Sequence, residues 1–236
     1  MVRRHARSPV APSAYVFPGG TVRDDDLAYP VADRSSLSAA ISSRSDTPPS
    51  PEAAAALYVC AIRELFEEAG VFLVRGPDGR PLQVAESETG LQERLESARL
   101  ALQARDVAIA DVLHDGAWEP AFDLLVPFSH WITPRALATR FDTRFFVAKL
   151  PKGQSALHDT IETSEGLWLS PARALEPDYH TVFATIHHLN RLAPFQTVSD
   201  LFDFARAKPI RMVCPEVVER GERRRAVIPP ALADSW

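Results

Sequence analysis

Three glutamates, Glu64, Glu67 and Glu68, fall at i, i+3 and i+4 in the stretch Arg63-Glu64-Leu65-Phe66-Glu67-Glu68-Ala69-Gly70-Val71. On a helix that spacing places their carboxylates on one face. Acids so close repel one another. A hard divalent cation would turn the repulsion into binding, since Mg²⁺ and Mn²⁺ prefer oxygen ligands completed by water and substrate phosphates. The same spacing also suits a solvated charged helix face, a routine feature of soluble proteins. Position weighs against that bland role, because the cluster fills the last turn before Gly70, where the helix macrodipole is negative and carboxylates are disfavoured. Arg63, four residues before Glu67, can hydrogen-bond a carboxylate and orient it.

The element that must carry these residues begins at Ser50, a helix cap, with Pro51 at the first position and Glu52 in the first turn. It runs to Ala69 and stops at Gly70. Tyr58, Ile62, Leu65, Phe66 and Ala69 recur at helical spacing and mark its buried face. Upstream, residues 14–17 read as a strand ended by Pro18-Gly19-Gly20. Residues 23–50, rich in Ser, Asp, Arg and Pro, read as a surface insertion with a short helix near Leu37–Ile41. Downstream, strands are expected at 71–74, 124–128, 145–150 and 165–169, with helices over 86–105, 106–113, 179–192 and 197–207. A short helix is expected after Ser170-Pro171, and a late strand near Val227-Ile228. Interleaved strands and helices indicate an α/β (α+β) fold. The chain reads as one domain over 1–236, with insertions at about 23–50 and 83–118 and a helical extension from about 177 to 236.

Bulk properties exclude several classes. The net charge of −5 gives no basic footprint for nucleic acid. No apolar run approaches the roughly 20 residues that span a bilayer, and the basic start Met-Val-Arg-Arg-His-Ala-Arg lacks the apolar core of a signal peptide. The two cysteines, Cys60 and Cys214, form no C-x-x-C pair, which fits a reducing, cytoplasmic setting. There is no G-x-S-x-G elbow for a serine hydrolase, and Cys60 falls within a helix. His187-His188 has metal-ligand residue types but lies in an amphipathic helix with no partner motif.

The stretch from Arg63 to Val71 resembles the second half of the Nudix box, R-E-U-x-E-E-x-G-U, where U is aliphatic, and Phe17-Pro18-Gly19-Gly20 resembles the glycine pair that precedes it. The resemblance implies an α/β/α sandwich around a mixed sheet. It also implies hydrolysis of a diphosphate bond with Mg²⁺ or Mn²⁺ held by Glu64, Glu67 and Glu68, and Arg63 as their orienting partner. Glu64 would be a third ligand or the base. In parts of that family a later glutamate is the general base, for which Glu162 and Glu165 are the candidates; as plain exposed acids they would need no such role. Gly19 and Gly20 would face the substrate.

This sequence departs from the full box, which asks for a Gly six residues before a Glu that lies eight before the Arg. Counting back from Arg63 puts Ala55 and Pro49 at those places, and Gly20 stands 43 positions before Arg63. The upstream half is therefore expected to be absent, with an insertion between glycine pair and helix. Residues 1–4 resemble the end of the strand leading into this loop, and are expected to pair in a sheet.

Trp131-Ile132-Thr133-Pro134, then Arg140 to Phe146, and Glu165 to Trp168 before Ser170-Pro171, resemble a larger-bodied Nudix branch that includes coenzyme A diphosphatases. That implies CoA or acyl-CoA as the nucleoside diphosphate derivative bound, split into a phosphopantetheine part and adenosine 3′,5′-bisphosphate. Arg140 and Arg144 would grip substrate phosphate through their planar forks, or serve as surface ion-pair partners. Trp131 and Phe141 would stack on adenine or pack in a core. ADP-ribose and NADH are the alternative substrates, and a non-catalytic nucleotide-binding module the alternative role. A homodimer is the expected assembly.

Overall fold

A computed structural model describes the whole chain except residue 86, residues 155–162, residues 221–222 and residue 234. The strands are β1 (Val2–Arg4), β2 (Tyr15–Val16), β3 (Val74–Arg75), β4 (Glu119–Pro120), β5 (Leu125–Ile132), β6 (Asp142–Ala148), β7 (Thr163–Gly166), β8 (Met212–Val213), β9 (Glu216–Arg220) and β10 (Arg223–Val227). The helices are α1 (Asp24–Ala28), α2 (Arg34–Ser42), α3 (Pro51–Ala69), α4 (Thr89–Ala104), α5 (Ile109–Gly116), α6 (Pro171–Ala174), α7 (Phe183–Leu192) and α8 (Val198–Ala207). The class is mixed α/β, as its interleaved pattern requires. No described helix is long and apolar enough to cross a membrane.

Helix α3 has the bounds its end signals dictate. Ser50 Oγ accepts from the Ala53 N–H at 3.2 Å, Pro51 needs no partner for a missing N–H, and Gly70 takes φ 67° as its N–H closes on Phe66 O at 2.9 Å. Phe66 then stacks on Phe72, centroids 4.1 Å apart, and Trp118 meets Phe72 edge-on at 5.6 Å. Tyr58 packs edge-on against Phe122. Gln154 braces the chain leaving the helix: its amide accepts from Phe72 N–H at 2.8 Å and donates to the carbonyls of Phe72 and Leu82, each at 2.9 Å.

The chain forms two compact units, neither contiguous in sequence. The first comprises Met1–Val31, Ala56–Leu124 and Lys149–Pro194; the second comprises Ala32–Ala55, Leu125–Ala148 and Phe195–Trp236. In the first unit β1 pairs antiparallel with both β2 and β7, so residues 2–4 do lie in a sheet, and β3 pairs with β4. In the second, β5 lies between antiparallel β6 and parallel β8, the mixed sheet, while β9 and β10 form a hairpin. The apolar run of β5 is buried on both faces, as a central strand's must be. Phe128 and Phe195 pack against Phe204, and Trp131 is buried against Trp236 with centroids 4.8 Å apart.

Several expectations need correction. The 23–50 stretch holds the short helix expected near Leu37–Ile41, as the longer α2, and a further helix, α1, that was not expected. The 71–74 strand is reduced to β3, because residues 71–73 are tied into the core by Gln154 and aromatic packing. Strand β6 begins at Asp142, earlier than the apolar run that predicts it. The tail from 177 is not uniformly helical: β8, β9 and β10 follow α8. The late strand expected near Val227-Ile228 ends at Val227 as β10, whereas the two-residue β8 and the charged β9 carry too little apolar alternation to signal them.

Candidate active site

The last turns of α3 are buried on their charged face as well as their apolar one. Arg63 is fully buried, and Glu64, Glu67 and Glu68 are also buried, while the apolar Leu65 is only half-buried. Charges so placed require partners, and the first unit supplies them. Arg63 grips Asp26 as a fork, Nε on Oδ1 at 2.8 Å and Nη2 on Oδ2 at 2.7 Å. Its Nη1 donates to Glu64 Oε1 at 2.6 Å and to Glu67 Oε1 at 3.2 Å, and its Nη2 also reaches Thr21 O at 3.0 Å. Burial works against the guanidinium's charge, yet the Asp26 hydrogen bond and the charges of Glu64 and Asp26 hold its pKa above the ordinary arginine value. Burial likewise raises the Glu67 pKa, with Arg63 and Arg23 pulling the other way.

Asp26 was not among the residues the sequence reading singled out, and it overturns the expectation of an absent upstream half. It stands six residues after Gly20, the Gly-to-acid spacing of the box, with Asp in place of Glu. The insertion therefore falls after this acid and not before it; the aspartate reaches Arg63 through space across 37 positions of chain. The spacing itself was the available signal.

The glycine pair meets the glutamates directly. Gly19 N–H donates to Glu68 Oε2 at 2.8 Å. A Cβ on Gly20 would lie 2.6 Å from Glu64 Oε2, closer than real Cβ contacts allow, so any side chain there would displace that carboxylate. Two groups from α4 complete the setting: Arg99 Nη1, at 3.2 Å, and Gln103 Nε2 both donate to the Glu67 carbonyl. They satisfy a carbonyl at the helix end that has no partner within the helix, and Arg99 sets a cation at the negative end of the macrodipole.

Glu67 is covered further by Arg23, whose Nη1 and Nη2 meet its two oxygens at 2.8 and 2.7 Å. Among the described residues, no three His, Cys, Asp or Glu side chains are gathered to hold a metal ion. The donor chemistry nevertheless fits a hard cation: three carboxylates share the end of one helix, and they are turned here toward arginines and a backbone amide.

Of the remaining candidates, Glu165 lies in β7, where its Oε2 accepts from the Tyr15 hydroxyl at 2.6 Å and Arg3 approaches to 3.9 Å. Burial and the Glu165 carboxylate push the Tyr15 hydroxyl up to about 12. Glu162 lies outside the described residues. Arg140 and Arg144 belong to the second unit and are engaged within it, Arg140 Nε with Thr133 O at 3.0 Å and Arg144 Nη2 with Thr47 O at 2.6 Å. Burial lowers the Arg144 pKa. Trp131 is core, whereas Phe141 is exposed. Cys60 is buried, which pushes its thiol pKa up and unsuits it as a nucleophile. His188 is buried, its Nδ1 2.7 Å from Ala184 O, the tie of a helix side chain to the preceding turn.

An acidic helix end set against a glycine pair fits the Nudix resemblance of the sequence, and a solved Nudix hydrolase is similar over most of both chains. The crystal structure of a NUDIX hydrolase from Alicyclobacillus acidocaldarius matches with a TM-score of 0.58 and 25% identity, covering 89% of this chain and 87% of that one. Residues 27–183 match the NUDT19 Nudix domain, and the chain belongs to that family. Similar relatives are the proteins named acyl-coenzyme A diphosphatase NUDT19 from Xenopus laevis (27% identical, covering 86% of this chain and 62% of that protein) and Gallus gallus (28%, 86% and 63%). The Homo sapiens protein of that name is 31% identical over 63% of this chain and 42% of its own length. The chain thus spans just over three fifths of the first two relatives' length.

Proposed function

We propose that the chain is a diphosphatase that hydrolyses the diphosphate bond of CoA or acyl-CoA with Mg²⁺ or Mn²⁺. The observation that carries this reading is the buried set of Glu64, Glu67 and Glu68, held by Arg63, Asp26 and the Gly19-Gly20 pair. A protein without chemistry to perform gains little from burying three carboxylates around two arginines, because replacing such ion clusters with apolar residues is often neutral or stabilising. The names of the similar relatives point to acyl-CoA as the substrate.

In this reading Glu67 and Glu68 are the principal cation ligands and Glu64 a third ligand or the base. Arg63 orients Glu64 and Glu67, and Asp26 orients Arg63. When bound, the cation supplies neutralisation of charge on the diphosphate oxygens and a lowered pKa for water. Water attacks one phosphorus, the bond to the bridging oxygen breaks, and that oxygen leaves with the other phosphoryl group. Glu165, held by Tyr15, is the candidate base on a second element, and Glu162 the alternative. Arg140 and Arg144 are candidate phosphate contacts. The free thiols fit a reducing cytoplasm.

The test is to incubate the purified protein and Mn²⁺ or Mg²⁺ with CoA, acyl-CoA, ADP-ribose, NADH and dinucleoside polyphosphates, and read products by mass spectrometry. Phosphopantetheine and adenosine 3′,5′-bisphosphate are expected from CoA, and Glu67→Gln is expected to abolish turnover. Unchanged turnover in that variant would remove the ligand assignment. Turnover of ADP-ribose or NADH alone would move the substrate, and turnover of nothing would make this a binding module.

A further inference from the structure

Arg23 occupies the place a ligand of Glu67 would need. Its guanidinium caps both carboxylate oxygens as a fork, and Arg63 Nη1 adds a further donor to Oε1 at 3.2 Å. A bidentate arginine engages a lone pair on each oxygen, and a cation bound to the same oxygens would face the guanidinium as a like charge at short range. Arg63 cannot give way, for it is fully buried and held by Asp26, Glu64 and Thr21. Arg23 can. Its side chain is 17% exposed, and beyond Glu67 it holds a long 3.5 Å contact to Leu102 O.

It also has somewhere to go. Arg23 lines a cavity of about 410 Å³ together with Asp24, Asp25, Arg105, Asp106 and Asp111. The aspartates there outnumber the arginines, so the cavity suits a guanidinium better than an anion. We propose that Arg23 is an exchangeable counter-ion of Glu67. It neutralises this carboxylate while no divalent cation is bound, and withdraws toward the acid-lined cavity when the cation takes Glu67. The proposal rests on the reading of Glu67 as a cation ligand, and it makes cation affinity, not only turnover, depend on a residue outside the glutamate cluster.

The experiment titrates Mn²⁺ alone into the metal-free full chain by calorimetry, with thermal unfolding recorded with and without Mn²⁺. R23Q removes the competitor and is expected to bind Mn²⁺ about tenfold tighter than the wild type, the scale of one charge-assisted hydrogen-bonded pair. By linkage, its metal-free form is expected to unfold at a lower temperature than the wild type, and saturating Mn²⁺ to narrow the gap. R23K keeps the charge without the fork and is expected to fall between; if R23Q does not fold, R23K against the wild type carries the same comparison. Equal or weaker Mn²⁺ binding by the Arg23 variants, with binding lost in E67Q, overturns the counter-ion role and leaves the cation reading of Glu67 standing. Failure of wild type and variants alike to bind Mn²⁺ overturns both.

Discussion

Asp26 and Arg63 present no side-chain surface to solvent, so removing either strands the other as a buried charge. Asp26→Ala is expected to cost about 3–5 kcal/mol of stability, the scale for breaking a buried ion pair by deleting one partner; urea unfolding measures it, and a loss below about 1 kcal/mol would mean that water reaches the site. Gly20→Ala acts through a neighbour. The new Cβ lies against the Glu64 carboxylate and must displace it. Turnover is expected to fall about a hundredfold, as displacements of catalytic groups by an ångström do, with the circular dichroism spectrum unchanged. A fully active Gly20→Ala enzyme would separate Glu64 from the chemistry. Arg63 to Glu67 hydrogen bonding is legible from the i, i+4 spacing alone, because helix geometry is local. Asp26 is legible only as a spacing from Gly20, since what joins it to Arg63 is a fold-dependent contact.

At the scale of elements, α3 is the best determined from sequence: Ser50, Pro51 and Gly70 are punctuation read by backbone chemistry, and the structure places the helix between them. What sequence patterning does not convey is that α4 serves the acidic end of α3. Arg99 and Gln103 read simply as polar positions of an amphipathic helix, yet both reach the Glu67 carbonyl. Arg99→Ala is expected to lower stability by about 2 kcal/mol, through the lost charged hydrogen bond and the lost cation at the helix terminus. Gln103→Ala, which spares the charge, is expected to lose less in the same thermal unfolding comparison. An equal loss from both would assign the effect to the carbonyl bond and not to the charge.

At the scale of the whole molecule, acid stability is expected to be set partly far along the sequence from the glutamates. His130 in β5 is buried with Thr47 Oγ1 2.8 Å from its Nδ1 and Asp142 Oδ1 2.6 Å from its Nε2. Burial, with help from Arg144, lowers its pKa from 6.5 despite the opposing pull of Asp142 and Asp46. The native state therefore resists a proton that the unfolded chain accepts. Stability from this group is complete above pH 6.5, falls as pH drops from there toward the lowered native value, and levels off below it. Burial gives His187 the same sign. Urea midpoints at pH 7.5 and 5.5 are expected to fall less in His130→Gln than in the wild type; equal falls would remove His130 from the account.

The sequence by itself determined the elements with strong local signals, and with them the acidic helix end, the glycine pair and the family they resemble, because capping, turn chemistry and helical periodicity act over a few residues. Tertiary structure alone decided that the acidic face is buried, that Asp26, already at the box spacing from Gly20, meets Arg63, and that Arg23 covers Glu67. Each of these depends on segments tens of residues apart meeting around charges too costly to bury unpaired, and no local pattern records which distant cation or acid the fold will bring to meet them.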